Sequence, residues 1–373
     1  MPGSHLSAAF AERSYRPGDV AVLRVFDAPS RSLTVSLLGA SQLSSPPVAT
    51  RLVSLVGPPP WPVYIRLRAT TSGVYVARLT TPGGTDAYAP LVLRPSQLGA
   101  TRMLVVEPTN TWQAYNVDAG DSWYLNRSVT KVDLARPFAG DGLPPHFKDY
   151  DAGFLRWVAA TGARADFVSD EDLSRFTSGH QLRRLYDVIV FPGHEEYVTE
   201  HVFDLVRSFR DLGGNLAFLS ADSFYWQVTA HGDTMTGRRR FDDLGRHPAA
   251  LVGAAYDGWE AHVYANRPYV VVGADRLPWL FAATGLTNGS SFGLYGIEID
   301  KRDRYSPPNT VVAAEITNEF GSGRSAEMTY YRDGPAQVFD AGVMNFGGSA
   351  SSWSASWTIL RNLWTHLGGQ FGS

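Results

Sequence analysis

The chain contains no cysteine. Disulfides, a cysteine nucleophile, Cys-ligated zinc and iron–sulfur clusters are therefore excluded. Lysine is nearly as scarce. Lys131, Lys148 and Lys301 are the only three, which leaves few candidates for Schiff-base chemistry. Neither sign of charge dominates: 33 basic and 36 acidic residues give a net charge of -3. That balance argues against nucleic acid or an anionic membrane as main partner. Long apolar runs are missing as well. Tyr269-Val270-Val271-Val272 is strand-length, far short of the about 18 residues a membrane helix needs. Met1-Pro2-Gly3-Ser4-His5 has neither a basic start nor an apolar stretch after it. No signal peptide is read there, and a cytoplasmic location is expected.

The 373 residues suffice for about two domains and a sizeable core without staples. Tyrosine is plentiful, with 17 residues. A metal site in this chain has to draw on His, carboxylate, Tyr or backbone oxygen.

The pattern divides near residue 97. Residues 6–95 carry short alternating runs, among them Val20 to Val25, Leu33 to Leu38, Val74 to Leu79 and Tyr88 to Leu93. Turn signals such as Arg16-Pro17-Gly18-Asp19 and Thr81-Pro82-Gly83-Gly84 separate them. This spacing predicts an antiparallel sandwich of immunoglobulin-like type over 1–97. From residue 98 onward the chain reads as α/β. Met103 to Val106, Val188 to Phe191 and Leu216 to Leu219 are short apolar runs suited to buried parallel strands. Between the last two, Val198, Val202, Leu205, Val206, Phe209 and Leu212 recur at helical spacing, and Gly213-Gly214 ends the helix. Strand, helix, strand is a βαβ unit and implies a three-layer α/β domain over 98–373. Its sheet resembles the glutamine-amidotransferase type of flavodoxin-like fold. Residues 154–160 and Trp353 to Leu367 read as further helices, and 227–350 mixes short strands with glycine-rich loops.

Ligands in open α/β sheets bind at the carboxyl ends of the strands. Two loops leave from there: Pro108 to Asn116 and Pro192 to Tyr197. His194-Glu195 invites a zinc-protease reading, but that motif needs a second His at 198, which is Val. The plain alternative is that Glu195 and Glu196 favour the start of the following helix. Walker, G-x-G-x-x-G and G-x-S-x-G patterns are missing at the right places. The turn Ser220-Ala221-Asp222-Ser223 stands where amidotransferases place their cysteine, so that chemistry is excluded.

Five segments resemble the large subunit of N,N-dimethylformamidase and its bacterial relatives. They are Glu107 to Asn116 (E-P-T-N-T-W-Q-A-Y-N), Lys131 to Phe138, Pro192 to Tyr197 (P-G-H-E-E-Y), Gly213 to Leu219 and Gly296 to Asp300. They occur in family order across most of residues 100–300. Ser72-Gly73-Val74-Tyr75 also fits the family layout. The resemblance implies a mononuclear Fe(III) site held by Tyr75, Tyr115 and Glu196, with Tyr88 as the alternative to Tyr75. Ferric iron is hard and prefers anionic oxygen, and two phenolates with one carboxylate match its charge. His194 would hold substrate or water, and Glu298 would act as general base. Asp222 stands where the family carries Asn. An Asn donates a hydrogen bond, whereas Asp does so only when protonated, which leaves the native substrate open. Trp112, Asn116, Glu195 and Trp226 would line the substrate pocket.

The expected function is iron-dependent hydrolysis of a small linear or N-substituted amide. Two alternatives stand beside it: a binding or structural protein on the same scaffold, and other iron chemistry on a natural product. The resemblance implies a small-molecule amide substrate, with self-association or a small accessory subunit as possible partnerships. The sequons at Asn126 and Asn288 read as chance matches.

Overall fold

The computed structural model describes residues 5–126, 128–260, 266–321 and 323–372. Met1 to Ser4, where a leader was sought, and Arg127 of the first sequon lie outside them. The molecule is β-rich, with 36% strand and 19% helix in several sheets.

The N-terminal strands form two sheets. Ser7–Phe10, Val20–Asp27 and Trp61–Arg66 make one, in that spatial order. The other runs Ser14–Tyr15, Asp86–Leu93, Gly73–Thr80, Ser32–Gly39, Ala49–Ser54. Alternation directs their side chains. In Gly73–Thr80, Ala77 and Leu79 enter the core between these two sheets, while Val74 and Val76 join the core of the rest of the chain. Period two thus gives one strand two different neighbours.

The largest sheet has nine strands, in the order Asp166–Ser169, Met103–Glu107, Val188–Phe191, Asn215–Phe218, Ala336–Asp340, Ala326–Asp333, Val311–Ile316, Arg267–Val271, Ser291–Tyr295. The first five are mutually parallel and the rest antiparallel. The three strands read from the sequence are adjacent at its parallel end. Their residues also divide by parity. Met103, Val105, Val188, Val190 and Ala217 face one core; Leu104, Val106, Ile189, Phe191, Leu216 and Phe218 face the other. A parallel sheet must be covered on both faces. Helix Glu200–Asp211 covers the second face with Val202, Leu205, Val206 and Phe209. Helices Ala152–Thr161 and Ser354–His366 cover the first. Thr199 caps the Glu200–Asp211 helix, its hydroxyl accepting from Val202 N at 3.2 Å.

The four antiparallel strands all fall in 227–350, where the sequence reading expected short strands among glycine-rich loops but did not place them. No helix among the described residues is long and apolar enough to cross a membrane.

Candidate metal centre

The parallel strands end at Glu107, Phe191 and Phe218, so the loops that follow lie side by side. The first loop is the helix Thr109–Tyr115, whose residues from Thr109 to Ala114 are buried. Its fixings are polar. Asn110 N donates to Asp170 Oδ2 at 2.8 Å, and Gln113 Nε2 donates to the Arg136 carbonyl at 3.0 Å. The Arg136 guanidinium in turn donates to the carbonyls of Gln113, Asn116 and Asp118 at 2.7–2.9 Å. Thr111 ties this helix to the second loop: its hydroxyl accepts from both Glu196 N and Tyr197 N at 3.1 Å. Tyr115 and Glu196 are thereby held at one place.

Around Glu196 the structure gathers Tyr115, His194, Asp222 and Glu298. His194 Nε2 stands 3.5 Å from Glu196 Oε2 and 3.3 Å from Glu298 Oε2. The Tyr115 phenol and the Trp226 indole lie against the Glu196 carboxyl, and Asp222 meets it carboxyl to carboxyl. The Asp222 amide donates to Asp300 Oδ1 at 2.8 Å. Asp222 and Phe224 sit at φ +55° and +61°, and Ile297, just before Glu298, at +75°. For a β-branched residue that is an outlier, of the kind held at functional sites by surrounding structure.

The electrostatics follow from crowding acids away from water. Burial, helped by Glu196 and Glu298, pushes the Tyr115 phenol well above its ordinary value. Burial also pushes Glu196 and Asp300 up to about 7. Asp222 is driven well above the carboxylate range by burial, then by Glu196 and Glu298. Two buried carboxyls in contact share a proton. Burial and these neighbours favour the protonated form of Asp222, in which it can donate as an Asn would. Burial alone would lower His194, but the carboxylates of Glu298 and Glu196 outweigh it and raise the imidazole.

These residues fit a cation. His194, Glu196 and Asp222 each offer a ligand atom within 4.8 Å of the others, the only such His/Asp/Glu group among the described residues. Glu196 Oε2, Asp222 Oδ1, Glu298 Oε2 and His194 Nε2 are buried with no well-formed hydrogen bond beyond the contacts they make with one another. Buried polar atoms are nearly always paired, and a further positive group among these side chains would complete their pairing.

Tyr75 is not part of this cluster, which corrects the reading of it as a ligand. It alternates with Val74 and Val76, so its ring packs on the core between the two N-terminal sheets, and its hydroxyl donates to Thr71 O at 2.9 Å. Tyr88 is no substitute: it packs at the edge of the large core, where its backbone amide donates to Asp141 O at 2.7 Å. The four pocket assignments fall out differently. Asn116 borders the cavity, yet its amide donates to Gln113 Oε1 and Pro137 O. Trp112 donates its indole N–H to Asp151 Oδ1 at 3.3 Å and packs edge-on to Phe147. Glu195 turns the other way, toward Asp170 and Glu107. Trp226 is beside Glu196. Asp300 went unassigned, although its position two residues after Glu298 in one strand puts both side chains on one face.

A cavity of about 420 Å³ opens onto this cluster. His194 and Glu298, with the half-buried Tyr115 beside them, form its inner end, and Val117, Tyr124, Leu125 and Trp259 its exposed end. The Tyr124 ring stacks on Tyr115 at 5.1 Å and meets Trp259 edge-on at 6.0 Å. None of these four outer residues was singled out from the sequence.

Among solved structures, the mmIFT52 N-terminal domain shares 11% identity with the chain, over 55% of this chain and 84% of that one, with a TM-score of 0.33. That likeness is too slight to carry an argument. No curated protein matches. A family match spans the region from the N-terminal sheets to the last helix, residues 28–357, and includes every residue of the cluster around Glu196. The chain therefore belongs to the N,N-dimethylformamidase beta subunit-like family, whose C-terminal region it matches.

Proposed function

We propose that this protein hydrolyses the C–N bond of a carboxamide at a ferric centre. The family's name supports a hydrolase of the dimethylformamidase type. The observation that carries the reading is the convergence of buried ligand atoms on His194, Glu196, Asp222 and Glu298, which face one another at the end of a cavity. On this reading the first 97 residues act as an immunoglobulin-like sandwich that supports an α/β catalytic domain.

Tyr115, Glu196 and Asp222 would hold the iron, with Asp222 in the place first given to Tyr75. Deprotonated, they supply three anionic oxygens, matching the charge and hardness of Fe(III). When bound, the ion supplies Lewis acidity toward the amide carbonyl. The remaining chemistry belongs to the chain. Glu298 takes a proton from the attacking water, whose oxygen adds to the carbonyl carbon. As the C–N bond breaks, Glu298 returns that proton to the departing nitrogen, giving a carboxylic acid and an amine. His194, between Glu298 and Glu196, orients Glu298 and keeps its charge compensated.

Metal analysis of the purified protein tests this, together with amine release from N,N-dimethylformamide. Tyr115→Phe should lose iron and its phenolate-to-iron colour, and with them activity, while circular dichroism stays unchanged. An iron-loaded protein that hydrolyses no amide, or full iron retention in Tyr115→Phe, overturns the assignment.

A further inference from the structure

We infer that the substrate of this site is an amide bearing a bulky apolar group, best an aromatic one, seated against the wall of Val117, Tyr124, Leu125 and Trp259. This rests on the proposed hydrolase activity. Thirteen large hydrophobic side chains are exposed among the described residues, and four of them line this one cavity. Leu125 is 68% exposed, Tyr124 45%, Val117 44% and Trp259 42%. Single exposed apolar residues are ordinary, but a cluster in a concave surface marks a binding site. The cluster is continuous with His194 and Glu298, so a molecule whose amide reaches those two extends its other end along it. The volume agrees. About 420 Å³ falls within the roughly 300–1,000 Å³ that holds drug-sized ligands. The smallest amides would leave most of it to water. The aromatic pair adds direction, since Tyr124 and Trp259 meet edge-on and offer a flat substituent both a face and an edge.

The test compares formanilide with N,N-dimethylformamide on the iron-loaded protein, by kcat/KM for release of the amine and by calorimetric binding. Formanilide should be preferred by about tenfold or more, the scale on which apolar pockets discriminate. Trp259→Ala should bring that ratio toward one and weaken formanilide binding by about tenfold. Leu125→Asp, at the more exposed position, should do the same if the first variant folds poorly. Equal kcat/KM for the two amides, with both variants leaving the ratio unchanged, overturns the inference and leaves the hydrolase reading intact. Formanilide that binds through Trp259 but is never cleaved sinks the hydrolase reading and keeps the cavity assignment.

Discussion

On the proposed mechanism, replacing Glu298 would separate proton transfer from metal holding. Glutamine keeps its shape but cannot carry a proton. Glu298→Gln should therefore retain its iron and lose activity by roughly 10²–10⁴-fold, the usual contribution of a positioned acid or base. Iron content and turnover, measured on one preparation, decide it; retained activity would remove Glu298 from the proton path. The site was partly legible at this scale. Tyr115, His194 and Glu196 stand inside distinctive strings, and the structure places all three together. Tyr75 was misread because a motif records neighbours in sequence and not the face of a pleat. Val74 and Val76 point one way, so Tyr75 points the other. The outer wall was invisible for a different reason. Tyr124 and Trp259 are more than a hundred residues apart, and only the folded chain sets their rings 6.0 Å from each other.

At the scale of elements, the loops after the parallel strands fix the geometry of the site, and glycine governs how closely they approach. Gly347 N donates to Leu219 O at 2.8 Å, and a methyl group added to Gly347 would run into Pro192 O, where the His194 loop begins. Gly347→Ala should cost about 1–3 kcal/mol, the range for overpacking. It should also weaken iron binding, since the backbone that must give way carries His194 and Glu196. Denaturant melts and iron titration together check this; a loss of stability with unchanged iron affinity would uncouple that contact from the centre. The parallel strands were readable because burial on both faces demands continuous apolar runs. The antiparallel strands were not. Their pairing shifts register between Val312 and Ala314 and again between Arg267 and Tyr269, which breaks the period of two that a sequence reading depends on.

For the whole molecule, the buried acids set the response to pH. Burial raises Asp151, Glu196 and Asp300 to about 7 each, against values near 4 in an unfolded chain. A folded-state value above the unfolded one means that folding takes up protons. The stability so gained is full below about pH 4 and is lost as pH rises through about 7. The raised His194 has the same sign. His146 and His366, lowered by burial, work against it. The iron-free protein should accordingly melt at a lower temperature at pH 8 than at pH 5, and iron should shrink the difference. A melting temperature that rises across that interval would contradict these protonation states. The N-terminal sheets, finally, govern how the chain can be divided. Val74, Val76 and Val92 belong to the same buried cluster as Val105, Val190 and Trp157. One face of the N-terminal sheets is thus packed on the core of the rest of the chain, beside the separate core that the two sheets enclose between them. A fragment ending near residue 97 would leave the face of Val74, Val76 and Val92 open to water, so the two parts of the intact chain should melt in a single cooperative transition.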